Sequence, residues 1–355
     1  MSGTSLDGVD AVLTDFASGL PPRTVGTHYL PYPADLRARL LALHTSQADE
    51  LHQASLLARE LSQLYARAVL ELLQKTATPP ARIQAIGCHG QTIRHRPESG
   101  YTIQLANGAL LAELTGITSI IDFRSRDIAA GGQGAPLVPA FHAATLSSTS
   151  EHRVIVNIGG IANLTDLPPG GKVTGFDCGP GNLLLDAWAE LHLGRPIDES
   201  GAWAASGNVL PALLEKMLSH AFFAAPIPKS AGREQFNPGW LQQQLNGGEA
   251  PQDVQATLLE LTAHGIVDAA RAHCRGFDAL YVCGGGVHNS ALMRRLDVLS
   301  GKPVRSTAAL GIDPDWMEAI AFAWLARQCL QGRAGNLPAV TGASGPRVLG
   351  AIYPA

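Results

Sequence analysis

The chain lacks any run of about 18 apolar residues, so no segment of it reads as a membrane-spanning helix. It also lacks blocks of like charge: 26 Lys and Arg stand against 30 Asp and Glu, a formal charge of -4. That balance argues against a nucleic-acid backbone or an anionic membrane as the main partner and favours a small soluble substrate. Charged residues make up only 16% and hydrophobic ones 46%, the composition of a compact globular protein rather than a disordered one. The five cysteines, Cys88, Cys178, Cys274, Cys283 and Cys329, form no CxxC pair and show no metal-ligand spacing, which predicts reduced thiols in a cytoplasm. The opening MSGTSLDG carries neither a basic region nor an apolar stretch, so secretion loses support. The Asn163-Leu164-Thr165 triplet matches a glycosylation acceptor and is read as coincidental in such a chain. Two missing motifs bear directly on chemistry: there is no GxxxxGK(S/T) and no complete GxGxxG, hence neither a Walker loop nor a Rossmann dinucleotide fingerprint.

What is present points to an α/β protein. At 355 residues the chain has room for about two domains, each able to bury a core. Apolar stretches of strand length recur at 9–16, 83–88, 117–122, 154–158 and 279–283, and helical patterns at 49–74, 182–193, 253–273, 290–299 and 315–330. Strands alternating with helices define the class. Near the start, 9–16 and 24–30 flank a Gly-Leu-Pro-Pro turn and predict an antiparallel pair at the edge of a mixed sheet. The segment IAAGGQGAPLVP at 128–139 favours neither helix nor strand and reads as a domain crossing, with the boundary near Arg124. The last long helix, with its apolar Ile320, Phe322, Trp324 and Leu325, carries the chain back. The expected division is 1–123 with 320–355 as one domain and 124–319 as the other. A strand ending in a glycine turn recurs at the start, at 157–160 and at 283–286, which suggests duplicated halves.

Four glycine-bearing loops carry the candidate chemistry. In the first, at 2–10, backbone amides near Gly3 and the hydroxyls of Thr4 and Ser5 suit phosphate oxygens, and Asp7 and Asp10 suit a metal reached through water. A plain hairpin turn explains the same residues equally well. The second, at 157–163, holds Asn157, Gly159 and Gly160; the third, at 175–182, holds Asp177 just before a helix. A carboxylate beside a helix N-terminus is placed to take a proton near a nucleotide, although Asp in that position is commonly a cap. The fourth, at 283–289, contains Gly284, Gly285 and Gly286. Two polar clusters, CHGQT at 88–92 and DFRSRD at 122–127, follow expected strands and therefore fall at the carboxyl edge of a sheet, where α/β proteins bind ligands. His89 there is either packed or catalytic. Arg124 and Arg126 either grip a carboxylate or form surface ion pairs. His89 and His95 have no Cys or carboxylate at zinc spacing, so no metal site is expected on them.

Taken together, the glycine loops resemble the acetate and sugar kinase, heat-shock chaperone and actin superfamily. More narrowly, MSGTSLDGVDAVL at 1–13, IGCHGQTIRH at 86–95, DFRSRDIAAGGQGAPLVPAFH at 122–142, VNIGGIANLT at 156–165, GFDCGPGN at 175–182, VCGGGVHNSALM at 282–293 and DWMEAIAFAWLA at 315–326 resemble the anhydro-N-acetylmuramic acid kinase family across nearly the whole chain. The resemblance implies a two-lobed actin-like ATPase with ribonuclease H-like duplicated domains, mixed sheets and a nucleotide cleft between the lobes. It implies ATP and Mg2+, a cytoplasmic homodimer, and a role in peptidoglycan recycling. The implied reaction opens the 1,6-anhydro bond with water while the released O6 takes the γ-phosphate. By motif, Gly3, Thr4, Ser5, Leu6, Asp7, Gly8, Val9 and Asp10 would hold the phosphates, with Mg2+ near Asp7 and Asp10. Asn157, Gly159 and Gly160 would lie near the nucleotide, and Gly284, Gly285 and Gly286 against the adenosine. Asp177 would be the general base, and His89, Gln91, Thr92, Arg124, Arg126 and Glu318 would face the sugar, Arg126 or Arg124 taking its lactyl carboxylate. Such kinases carry a short apolar strand ahead of the first glycine loop; here Met1 falls within that loop, so the strand is expected to be shortened or missing. A kinase for another sugar, or an actin- or chaperone-like ATPase, are the competing readings.

Overall fold

The computed structural model describes residues 1–3, 6–17, 19–46, 48–227 and 229–355. Two compact units emerge, Met1–Thr145 with Trp316–Ala355 as the first and Leu146–Asp315 as the second. Both divisions differ from those expected at 123/124 and 319/320. Phe123 packs on Phe322 at a centroid distance of 5.4 Å and Phe141 on Trp324 at 6.0 Å, so the segment after Arg124 stays with the first unit. Apolar ring contacts outweigh the low regular-structure propensity of the glycines at 131–134.

The first unit contains β1 (Gly8–Asp15), β2 (Arg23–Pro31), β3 (Ile86–Gly87), β4 (Gln91–Arg96), β5 (Tyr101–Leu105) and β6 (Ser119–Ile121). β1 and β2 form the expected antiparallel pair, and β4 and β5 a second one. The helix Glu50–Lys75 lays Leu57, Leu61, Tyr65 and Leu72 into the core shared with Val9, Leu30, Leu36 and Leu40. The strand expected over 83–88 is only two residues long. Gly87 runs so close to the helix Met317–Leu330 that a Cβ there would stand 2.4 Å from the Phe322 carbonyl oxygen, and Gly90, at φ +77, turns the chain away. Between β1 and β3 lies a cavity of about 710 Å3, lined among others by Val12, Ile86, Ala323 and Arg327. On this side of β1, Met1 exchanges two backbone hydrogen bonds with Asp10, at 2.6 and 2.8 Å.

The second unit is built on β7 (Arg153–Ile158), β8 (Ile161–Leu167), β9 (Thr174–Pro180), β10 (Ala279–Cys283) and β11 (Val304–Ser306). A last strand, β12 (Ala351–Tyr353), returns to the first unit, where the order is β12-β6-β3. The five strands run in the order β11-β10-β7-β8-β9, with β10 parallel to β7 and β11, and β8 antiparallel to both its neighbours. This is the mixed, ribonuclease H-like arrangement expected. The antiparallel β1–β2 pair and the parallel β3–β6 pair repeat parts of it. β10 is buried along its whole length, which explains its unbroken apolar sequence. The helix Pro251–His273 covers the core with Leu258, Leu261, Ile266 and Val267.

Two segments expected as loops are strands. β8 and β9 pair with each other and occupy 161–167 and 174–180. The Gly159-Gly160 pair is a hairpin turn joining β7 to β8, a role that glycines fill as readily as a phosphate loop.

Candidate active site

In the first unit, the opening loop is held by side chains from distant parts of the chain. Ser2 Oγ donates to the Gly90 carbonyl at 2.9 Å and meets Tyr65 Oη at 3.0 Å. The amide of Gln91 donates to the Gly3 carbonyl at 3.0 Å, and its Oε1 accepts from Tyr32 at 3.3 Å. Gln91 is wholly buried and both ends of its amide are engaged. Leu6 takes a left-handed conformation at φ 56, which bends the loop into β1. The Asp7 carbonyl accepts from the Tyr32 amide and the Tyr29 hydroxyl, both at 2.9 Å, leaving an exposed carboxylate at the loop's end. Gly8 passes 2.5 Å, measured from an ideal Cβ, from the Leu30 carbonyl and admits no side chain; Val9 is core, and Asp10 is half-buried on β1. Thr4 and Ser5 lie outside the described residues.

Beside this loop stand His89, Arg124 and Glu318, with Asp127 near Arg124. His89 Nδ1 faces the Ser2 carbonyl at 3.3 Å, and its Nε2 accepts from Arg124 Nε and Nη2 at 3.1 and 2.8 Å. Burial, with the Arg124 charge behind it, pushes the imidazole well below its usual range and keeps the ring neutral. Arg124 Nη1 donates to the Gly134 carbonyl at 2.8 Å, and burial pulls the guanidinium down to about 10. Glu318 is pushed up, first by burial and also by the Asp10 carboxylate, against the opposing pull of Arg124 and of the Met1 ammonium. Arg126 is exposed on the helix Ser125–Ala129. Thr92, on β4, accepts from Gln104 at 3.3 Å through its hydroxyl. Asp127, fully buried, accepts from the Gly134 amide at 2.8 Å, Asn336 Nδ2 at 2.7 Å and Thr341 Oγ1 at 2.8 Å.

In the second unit three glycine segments converge. The Gly181, Asn182 and Leu183 amides donate to the Gly159 and Gly160 carbonyls at 2.8 to 3.1 Å. The amides that lead into the helix Leu183–Leu193 are thereby used, and the amides of Gly159 and Gly160 are left without a backbone partner among the described residues. Gly284, at φ +78, would place a Cβ 2.5 Å from Asn157 Oδ1, and Gly286 one 2.4 Å from the Ile158 side chain. A Cβ at Gly285, between them, would meet only the Asn182 side chain, at an ordinary contact distance of 3.6 Å from Nδ2. The backbone is less closely packed there than at its neighbours.

Asp177 lies in β9, not in a loop, and it is not a cap; Asn182 holds that position. Across the sheet it pairs with Asn163, which pairs with Asn157, which pairs with Cys283. Two strand spacings put Asp177 about 10 Å from Asn157. Its Oδ2 accepts from the Ala231 amide at 2.9 Å. Burial raises it to about 6; the Ala231 amide and the nearby Ser230 hydroxyl resist, and the Glu234 charge adds to the rise. A carboxylate in that range is ionised at neutral pH yet basic enough to accept a proton from water. Among the described residues no group of three His, Cys, Asp or Glu side chains is placed to hold a metal.

Sequence reasoning missed Asn163 as a site residue, the 229–231 segment and Asp127. Asn163 is visible inside IGGIANLT, but the sequence reading takes up only its coincidental match to a glycosylation triplet. Nothing in the sequence marks 229–231, since it reaches Asp177 through a backbone amide from 54 positions away.

The family model described as AnmK: Anhydro-N-acetylmuramic acid kinase matches residues 1–355. A curated relative from Thiobacillus denitrificans, called anhydro-N-acetylmuramic acid kinase, is 60% identical over 359 residues, covering 100% of this chain and 96% of the relative. One of the same name from Nitrosomonas europaea is 57% identical over 358 residues, covering 100% and 98%. Among solved structures, the (R)-2-hydroxyglutaryl-CoA dehydratase component A of Acidaminococcus fermentans aligns at a TM-score of 0.44 and 13% identity, over 88% of this chain and 95% of that one.

Proposed function

The chain belongs to the anhydro-N-acetylmuramic acid kinase family, and from that premise we propose how its residues divide the work. The enzyme is a phosphotransferase with an alcohol group as acceptor, using ATP and an anhydro amino sugar. Water adds to the anomeric carbon, the bond from that carbon to O6 breaks, and O6 takes the γ-phosphoryl group, leaving N-acetylmuramic acid 6-phosphate and ADP. Asp177 receives the proton of the attacking water. The observation that carries this assignment is a half-buried carboxylate, raised to about 6 by desolvation, with one oxygen tied to the Ala231 amide.

The amides of Gly159 and Gly160, without a backbone partner among the described residues, bind phosphate oxygens, as do Gly3, Leu6, Asp7, Gly8, Val9 and Asp10 of the opening loop. Gly285, flanked by the packed Gly284 and Gly286, lies against the adenosine. Asp7 and Asp10 supply two carboxylates, a donor set that suits Mg2+, which keeps most of its waters and binds phosphates besides. When bound, Mg2+ neutralises phosphate charge. Arg126, exposed, takes the lactyl carboxylate, because Arg124 is committed to His89 and Gly134. Thr92 and Glu318 contact the sugar; His89 and Gln91 act behind them by fixing the opening loop.

Five free, buried thiols support a reducing cytoplasm, and no helix among the described residues is long and apolar enough to cross a membrane. Peptidoglycan recycling is the process that yields such a sugar. A homodimer completes the proposal, and sedimentation should give twice the 37.3 kDa chain mass; a monomer would remove that part.

The deciding assay is ADP release from Mg-ATP with and without anhydro-N-acetylmuramic acid, with the product weighed by mass spectrometry. ADP formed one-for-one with a product that has gained both water and phosphate is the expected result. A product with phosphate alone would mean a different sugar kinase, and ADP release indifferent to sugar would mean an ATPase.

A further inference from the structure

β9 is the edge of its sheet, so the outer row of its backbone groups has no strand beside it. At Asp177 that row is met by a segment from another part of the chain. The Asp177 amide donates to the Lys229 carbonyl at 3.1 Å, and the Ala231 amide donates to Asp177 Oδ2 at 2.9 Å. These two bonds join the backbone on either side of position 230 to the residue that carries the base.

The side chain of Lys229 anchors the segment. Its Nζ donates to the carbonyls of Phe222 and Phe223 at 3.0 and 3.1 Å, near the end of the short helix Ala221–Ala224 where a lysine suits such carbonyls, and it lies 4.6 Å from the Phe222 ring centroid. The anchor point is itself packed. Phe222, Phe223 and Phe236 contact one another with centroids 5.6 to 5.9 Å apart, and Phe236 is fully buried. Phe223 fills the space left by two glycines: a Cβ at Gly179 of β9 or at Gly265 of the helix Pro251–His273 would stand 2.9 or 3.3 Å from its Cε1. The ammonium therefore ties 229–231 to a cluster of rings seated on the strand that bears Asp177.

We propose that Lys229 is a positioning residue for the base: its ammonium fastens the segment to Phe222 and Phe223, so that the Ala231 amide stays on Asp177 Oδ2 and holds the carboxylate in one orientation for the water proton. This deepens, and rests on, the reading of Asp177 as base. An amide that donates to a carboxylate favours its ionised form, so a segment released from its anchor leaves the carboxyl protonated to higher pH. The charged and titratable groups around the site are Glu234 and Lys229 on the same stretch of chain, Cys178 on β9, and His273 on the helix Pro251–His273, which faces Lys229 and Arg275; β8 presents the neutral Asn163. Of these only Lys229 differs between parent and variant.

The test uses the full chain as Lys229→Met, which keeps the stem and loses the ammonium, and Lys229→Arg, which keeps both the donors and the charge. Three readouts are compared with the parent: hydrogen exchange of the Ala231 amide, a carbon-13 titration of the Asp177 carboxyl, whose signal is the one lost in Asp177→Asn, and the pH dependence of sugar-dependent ADP release. In Lys229→Met the Ala231 amide should exchange about tenfold faster, and the carboxyl midpoint and the acid limb of kcat/KM should both rise by about one pH unit, the size of one hydrogen bond to a charged group, with KM for ATP unchanged. Lys229→Arg should restore all three. Unchanged exchange at Ala231 in Lys229→Met overturns the proposal even where the midpoint moves, because the shift is then the bare effect of a lost charge. The same changes in Lys229→Arg overturn it as well, since they would make the effect one of packing. Should Lys229→Met not fold, Lys229→Gln, one bond shorter and uncharged, carries the same readouts with the same expected directions. If exchange and midpoint move as expected but the parent shows no sugar-dependent turnover, the anchoring of the carboxylate stands and the reading of Asp177 as the kinase's base falls.

Discussion

Asp177→Asn is expected to lower kcat by about 10^3-fold or more, within the range that a positioned general base contributes, while ATP binding stays within about twofold of the parent. Asn keeps the shape and the acceptor that the Ala231 amide requires, and loses only the capacity to take a proton. In the parent, activity should fall tenfold per pH unit below about 6, where the carboxyl protonates, and that limb should vanish from the residual activity of the variant. Stability separates this from damage. A carboxyl raised in the folded state is ionised first in the unfolded chain, so its charge weakens the fold progressively from about pH 4 to about 6 and by a constant amount above. Above pH 6 the variant should therefore melt no lower than the parent. Normal turnover with ATP bound would remove Asp177 from the base role; a lower melting temperature would show that the carboxylate holds the fold together instead.

Asp127→Ala should do the reverse. It is expected to cost about 4 kcal/mol, from a buried amide, a carboxamide and a hydroxyl all left without an acceptor, and so to lower the melting temperature by about 10 °C. A water entering the space offers only partial relief, because Gly132 packs so closely that a Cβ there would stand 2.2 Å from the carboxylate. The same change frees the Gly134 backbone, whose carbonyl holds Arg124, which in turn holds His89. KM for the sugar should therefore rise at temperatures well below melting, with KM for ATP moving less. Thermal denaturation followed by circular dichroism measures the first effect and steady-state kinetics the second. A melting temperature within about 2 °C of the parent would mean that the three donors find other partners.

These two aspartates look alike as letters in short polar motifs, and the sequence singled out only Asp177. Its motif, GFDCGPGN, resembles the family's, and that resemblance is what points to Asp177 as the base. DFRSRDIAAGGQG carries a signal of equal strength, yet it pointed to Arg124 and Arg126 and passed over Asp127, whose partners Asn336 and Thr341 lie more than 200 positions away. Likewise His89 and Gln91 were read as facing the sugar, and their side chains are spent on Ser2, Gly3, Arg124 and Tyr32. A polar residue at a strand end is equally suited to a ligand and to a neighbouring loop, and only the position of that loop tells them apart.

By itself the sequence determined the α/β class, the main strands and helices, and the family, because periodicity is local and the motifs stand in order along the whole chain. Only the tertiary structure decided that Asp177 rides on an edge strand and not on a loop, that the amides at 181–183 are already used, and that the backbone at 229–231 bonds to Asp177. It also decided that residues 124–145 stay with the first unit, through the rings of Phe123 and Phe141. Each of these depends on which backbone groups and apolar faces meet across long separations, and those pairings are settled by packing and by the need to satisfy buried hydrogen-bonding groups, neither of which leaves a local pattern in the chain.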